Sequence, residues 1–336
     1  MLRAAGSPAA CHYPNPKRGN VPEGVTSDIS VTAPGRLAWI FGSSRSGSTW
    51  LLRMLSELER VIPIDDPHIG HHLGVWRPIP LAWATAKDPP KLGTLADFKR
   101  KKRDYLFSDR YRDTWMPQLR DLISARFEAQ ATQDIAEAGA IEQPVVVVKE
   151  PGSHAADTIM DLFPESGLIF LLRDGRDVVD SWLDAYRDGS WATDEGAYPL
   201  DDTGRPALIR WQSSVWLHRT TVVQETFART DPDRRVLIRY EEMRADPVSA
   251  LRRICSMLGI EASAEQLEEI AAANSFSRVP KTDKGAGREI RRADPGGWAA
   301  HMSREEILEM HEILAEKLDE LGYLRPGDIP RKKRAA

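Results

Sequence analysis

Gly42 and Gly47 bracket Ser43, Ser44, Arg45 and Ser46 in the stretch IFGSSRSGSTWLL. The glycine spacing is that of a phosphate loop, G-x-x-x-x-G-K-[ST], except that Ser48 stands at the lysine position. An apolar run (37–41) precedes the loop, and an amphipathic helical pattern starts near Gly47. Strand, glycine loop and helix start together aim several backbone N–H groups and a helix dipole at one spot, which suits a phosphate. Ser44, Ser46, Ser48 and Thr49 add hydroxyls, and Arg45 adds a cation from the crown of the loop. A glycine–serine turn with no ligand is the plainer alternative.

In P-loop NTPases the lysine bridges the terminal phosphates, and an acid at a strand end helps hold Mg²⁺. Here VVVVKE ends in Lys149, and LIFLLRD places Arg173 ahead of its aspartate. Cations stand where that chemistry needs an acid, which disfavours a Mg·ATP site. Arg173 at a strand's carboxyl end faces the ligand crevice of an open α/β sheet, and Ser181 follows eight residues on, inside the next helix. A third basic group, REIRRADPGGW, holds Arg288, Arg291 and Arg292. One phosphate loop and two further arginine sets suit a ligand with two separated phosphates. Ion pairing with Asp174, Asp177 and Asp294 is the competing explanation.

The elements that must position these groups are legible as apolar runs at 37–41, 145–148, 168–172 and 236–240, each followed by polar residues and then a helical pattern. This alternation predicts an α/β fold, three-layered, with a mainly parallel central sheet and helices on both faces. Helix boundaries are clear late in the chain. Asp246 caps DPVSALRRICSMLG, which stops at Gly259, and Ser303 with Glu306 forms a capping box for a helix ending at Gly322. Residues 60–140 and 187–206 are irregular and fit substrate-shaping insertions. Residues 1–33 fit a flexible arm, 34–325 the folded domain and 326–336 a basic tail.

Composition narrows the class. The 336 residues are 41% hydrophobic, with 46 basic and 50 acidic side chains, so bulk nucleic-acid binding is not expected. Two cysteines, Cys11 and Cys255, make no disulfide framework, and no apolar run reaches spanning length. No apolar segment precedes Cys11, so export is not expected and the expected location is cytoplasmic.

Taken together, SSRSGSTW, LLRDGRDVVDSW and RRADPGGW resemble the motifs of sulfotransferases that use 3′-phosphoadenosine 5′-phosphosulfate, with their P-loop-like fold. The resemblance covers roughly 36–323. It implies that the loop around Arg45 holds the 5′-phosphosulfate, that Arg173 and Ser181 hold the 3′-phosphate, and that Arg291 and Arg292 close over the nucleotide. Ala293 and Gly297 depart from the family's glycine and aspartate in that closing loop. RYEEM and NSF match segments that frame adenine, which implies Trp50, Tyr240 and Phe276 as ring contacts. Core packing is the alternative for each of these aromatics.

The implied reaction moves a sulfo group to an acceptor hydroxyl, or less favourably an amine, by in-line displacement. It needs a base, charge stabilisation and a neutralised leaving phosphate. Arg45, Ser48, Thr49 and Lys149 suit the charge, and no metal is required. Many cytosolic members carry Lys-Thr-His where this chain has Lys149-Glu150-Pro151, so a histidine there is excluded. The Lys-acid-Pro form resembles the protein-tyrosine branch, whose base is a carboxylate beyond the phosphate-loop helix. Asp66 in VIPIDDPHIGHH has comparable spacing and is the leading base, with His68, Glu150 and His154 as alternates. A turn or N-cap role before Pro67 competes for Asp66. An atypical P-loop kinase and a non-catalytic nucleotide-binding homologue remain the other functional readings. The acceptor (small molecule, carbohydrate or lipid) and the oligomeric state are not specified by sequence.

Overall fold

Five short strands lie side by side, all parallel: β1 (Leu37–Phe41), β2 (Val61–Asp65), β3 (Val145–Lys149), β4 (Gly167–Leu172) and β5 (Arg235–Arg239), in the order β2-β3-β1-β4-β5. The computed structural model describes residues 30–73, 92, 100–139, 141–194, 204–280, 282, 284–288, 294–325, 327 and 328. β1, β3 and β4 are buried throughout, as expected for strands covered on both faces.

Trp39 and Phe41 point into one core layer, and Ala38 and Ile40 into the other. The Trp39 layer is covered by helices α3 (Arg112–Ala138), α4 (Ala156–Leu162), α5 (Gly175–Ala185), α7 (Arg205–Arg229) and α12 (Arg304–Glu320). The Ile40 layer is covered by α1 (Ser48–Leu55), α8 (Tyr240–Ala245), α9 (Pro247–Leu258) and α10 (Ala264–Ala273). Short helices α2 (Ile69–Leu73), α6 (Trp191–Asp194) and α11 (Trp298–His301) stand near the carboxyl edge of the sheet. Because every strand runs the same way, the residues after β1, β2, β3 and β4 emerge on one edge. β1 pairs with β3 on one side and β4 on the other, so the chain switches direction there and opens a crevice.

The cap signals are realised. Asp246 accepts from the Ser249 N–H, Gly259 has φ 63°, and Ser303 and Glu306 form the reciprocal capping box. The region 60–140 is more regular than expected. Its strand β2 contains Pro63, a residue that argues against a central strand, but β2 is an edge and tolerates the missing donor. Its helix α3 runs for 27 residues, yet it buries mainly Ile123, Phe127, Ala131 and Ile135, one residue per turn. So narrow a stripe leaves little periodicity to detect. Tyr240 opens α8 instead of ending β5. Residues 1–29, most of the expected tail, and residues 74–91, 93–99, 140 and 195–203 of the expected insertions lie outside the described residues, although Val31 is buried and Asp328 pairs with Arg176. Among the described residues no helix is long and apolar enough to cross a membrane.

Candidate active site

The β1–α1 loop is pressed between strands and helices. A Cβ on Gly42 would lie 2.2 Å from the Leu171 carbonyl oxygen, and one on Gly47, at φ 88°, would lie 2.7 Å from the Tyr240 ring. Arg45 adopts φ 72°, a conformation that non-glycine residues rarely take. Two contacts accompany this turn at the crown. Arg45 Nε donates to Ser181 Oγ at 3.1 Å, and its guanidinium lies 5.3 Å from the centre of the Trp191 ring. Arg173 comes from the end of β4. Its Nη1 donates to the Arg45 carbonyl at 2.7 Å, and its guanidinium covers the Tyr240 ring at 4.3 Å. Among the described residues Arg173 Nε is buried without a hydrogen-bond partner, so one donor is left for something else.

These groups border a cleft of about 510 Å³. Arg45, Gly47, Ser48, Thr49, Trp50, Arg173, Ser181, Tyr240 and Phe276 all line it, as do Arg53, Arg244 and residues 294–297. Trp50 donates its indole N–H to the Asn274 carbonyl at 2.8 Å and meets Tyr240 edge-on at 6.4 Å. Lys284 sits 4.6 Å from the centre of the Phe276 ring. Ser44 and Ser46 are not in the lining. Ser44 Oγ accepts from Arg219 Nη1 at 2.8 Å, and Ser46 is buried in the loop. Arg291 and Arg292 lie outside the described residues.

Beside the phosphate loop, Lys149 Nζ reaches three oxygens: Thr49 Oγ1 at 2.9 Å, Asp65 Oδ1 at 2.6 Å and Asp66 Oδ2 at 3.0 Å. Burial alone would lower the Lys149 pKa, but the hydrogen bonds and charge of the two aspartates outweigh it and hold it above the ordinary value. For Asp66 the balance runs the other way. Burial raises its pKa more than Lys149 lowers it. Asp66 takes φ 49° on the turn after β2, its N–H donating to the Lys149 carbonyl, and among the described residues its Oδ1 has no hydrogen-bond partner.

The alternates for the base are less available. His68 shares its Nδ1 with His71 Nδ1 at 3.1 Å. Glu150 is 2% exposed and points inward, accepting from the N–H groups of Ile69 at 2.9 Å, Gly152 at 2.6 Å and Gly70. Burial pushes its pKa up to about 7 against those donors. His154 is buried against His71, and burial together with Arg219 holds its pKa well below the ordinary histidine value. Among the described residues no cluster of three or more His, Cys, Asp or Glu is arranged to hold a metal ion.

Sequence reasoning did not single out Arg219, Arg53, Arg244 or Trp191 for this site. Arg219 sits mid-helix in α7 with no motif around it, and a lone helical arginine reads as a solvent-facing residue. Trp191 falls in the 187–206 stretch expected to be a substrate-shaping insertion, but nothing there distinguished it. Asp65 was not singled out as a partner of Lys149, although it is the nearer of the two carboxylates to it.

A family model described as the sulfotransferase family matches residues 38–264. No curated protein matches the chain in sequence. The fold is similar to that of mouse sulfotransferase SULT7A1 complexed with PAP, at 14% identity and TM-score 0.51, over 86% of this chain and 88% of that one. Sulfotransferase STF9 from Mycobacterium avium is also similar, at 20% identity and TM-score 0.45, over 86% and 78% of the two chains. A sulfotransferase domain from the curacin biosynthetic pathway gives 17% identity and TM-score 0.47, over 88% and 99%. With the family model covering more than half of its length, the chain belongs to the sulfotransferase family.

Proposed function

We propose that the enzyme uses 3′-phosphoadenosine 5′-phosphosulfate as donor and an alcohol as acceptor, with Asp66 as general base. The observation that carries this reading is the convergence of Arg45, Arg173 and Ser181 on one cleft beside the phosphate loop, with a buried Arg173 donor left over among the described residues. The mixture of cations and aromatic faces fits a phosphorylated adenine nucleotide. The mouse enzyme's complex with PAP supports the same nucleotide.

When bound, the nucleotide supplies the sulfo group. The loop N–H groups, Arg45, Ser48 and Thr49 bind the 5′ side and stabilise negative charge there as the S–O bond to the leaving phosphate breaks. Lys149, already hydrogen-bonded to Thr49, adds positive charge beside the transferred group. Arg173 and Ser181 bind the 3′-phosphate, and Trp50, Tyr240 and Phe276 frame adenine. Asp66 accepts the proton of the acceptor hydroxyl as its oxygen bonds to sulfur. Its raised pKa makes it a stronger base than an ordinary aspartate. Arg291 and Arg292 close over the nucleotide in this scheme.

Calorimetry tests the binding half. Adenosine 3′,5′-bisphosphate is expected to bind in the presence of EDTA, with Arg173→Ala weakening it by roughly tenfold or more. Binding of Mg·ATP but not of the bisphosphate would favour the kinase reading. Incubation with the sulfo donor and alcohol libraries, followed by mass spectrometry, tests transfer. A product gaining one sulfo group is expected, and donor binding with no product from any alcohol class would favour the non-catalytic homologue.

A further inference from the structure

His301 ends helix α11 and lines the same cleft as Arg173 and Ser181. Its Nδ1 lies 3.0 Å from Oδ2 of Asp180, a carboxylate only 2% exposed. An ionised carboxylate only accepts, so Nδ1 carries the proton and Nε2 is left for another partner. Asp180 immediately precedes Ser181 on α5, so the imidazole is tethered to the same helix that brings Ser181 to the cleft.

The wall that carries His301 is fixed from behind by the same helix. Asp177, one turn before Asp180, accepts the Gly296 N–H at 2.8 Å and the Trp298 N–H at 3.3 Å. Arg176 covers the Trp298 ring at 4.4 Å. Asp184, one turn further along, accepts the Gly287 N–H at 2.9 Å. Asp177, Asp180 and Asp184 share one face of α5, and all three are buried. A row of carboxylates facing an anion-binding cleft would be counterproductive if it were open to the ligand. Here each is occupied by backbone N–H groups or by the imidazole.

We propose that His301 is a further phosphate-binding residue of the cleft and that Asp180 positions it, so that the imidazolium donates through Nε2 to the phosphate held by Arg173 and Ser181. This rests on the nucleotide reading above, in which that group is the 3′-phosphate. The pair of Asp180 and His301 works as a buried carboxylate behind a histidine ligand works at a metal centre: it fixes the orientation of the ring.

The test is calorimetric titration of the full chain with adenosine 3′,5′-bisphosphate and with adenosine 5′-monophosphate. His301→Ala is expected to weaken the bisphosphate about tenfold and to leave the monophosphate within about twofold. Asp180→Asn should lower the same discrimination ratio to a smaller extent. A merely structural role for either residue would weaken both nucleotides alike. An unchanged ratio in His301→Ala overturns the inference. Failure of the wild-type chain to bind the bisphosphate at all overturns instead the nucleotide reading on which it rests.

Discussion

Lys149 Nζ lies 3.0 Å from Asp66 Oδ2, so the cation at the end of β3 and the carboxylate on the turn after β2 form one ion pair beside the phosphate loop. Pairing with a cation weakens a carboxylate as a base, and burial strengthens it. In Asp66 burial prevails, and the pKa is raised above the ordinary value of 3.8. Lys149 meanwhile stays protonated, with its three oxygens in place.

Asp66→Asn is therefore expected to lower kcat by roughly a hundredfold or more while leaving bisphosphate affinity unchanged. The base must be ionised, so wild-type turnover should fall with decreasing pH at a higher pH than an unperturbed aspartate would give. The stability effect has the opposite sense. A raised folded-state pKa means that the folded chain holds the proton more tightly than the unfolded chain, so stability from this group is lost as pH rises through that pKa. Above it the Asn variant should melt at the same temperature as wild type or higher. Steady-state kinetics with thermal denaturation checks both, and unchanged turnover would move the base role to another residue.

Glu150 offers a second pH test, in a window set by its own shift. Its pKa is pushed from 4.5 to about 7 by burial, even though it accepts from the turn that carries Asp66. Its contribution to stability is fully present below about 4.5 and is lost as pH rises through about 7. Glu150→Gln removes that dependence. The wild-type melting temperature minus that of the variant is expected to decline across this range. Parallel melting curves from pH 4.5 to 8 would show that Glu150 titrates like an exposed glutamate.

The sequence made the sheet legible because its central strands are unbroken apolar runs, and it made the nucleotide side legible because glycines, serines and arginines sit at local, countable spacings. The edge strand β2 was obscured by Pro63, and α3 by its one-residue-per-turn buried stripe. The remaining site residues are long-range. Arg219 meets Ser44 across 175 residues, and Asp180 meets His301 across 121. No local pattern encodes such a pair. It exists only once α7 and α11 have packed against the sheet and α5.

The turn bearing Asp66 is also held by a contact with no side chains in it, which gives the sharpest steric prediction. A Cβ on Gly70 would lie 2.0 Å from the Gly152 carbonyl oxygen, and one on Gly152 would lie 2.6 Å from the Gly70 carbonyl carbon. Both neighbours are backbone, so no rotamer change relieves the clash. Gly70 lies in α2, just beyond Asp66, and Gly152 just beyond Lys149. Gly70→Ala must therefore push α2 away from the end of β3, stretching the ion pair between Lys149 and Asp66 and the Glu150 hydrogen bonds. The expected cost is about 2 kcal/mol of stability, with a drop in kcat of roughly tenfold or more, because a small displacement of a base is amplified in the rate. Bisphosphate affinity should change little, since neither Gly70 nor Gly152 lines the cleft. Equal losses in kcat and affinity would mean that the substitution spreads through the whole site. Wild-type stability and turnover together would show that the two glycines do not hold the turn.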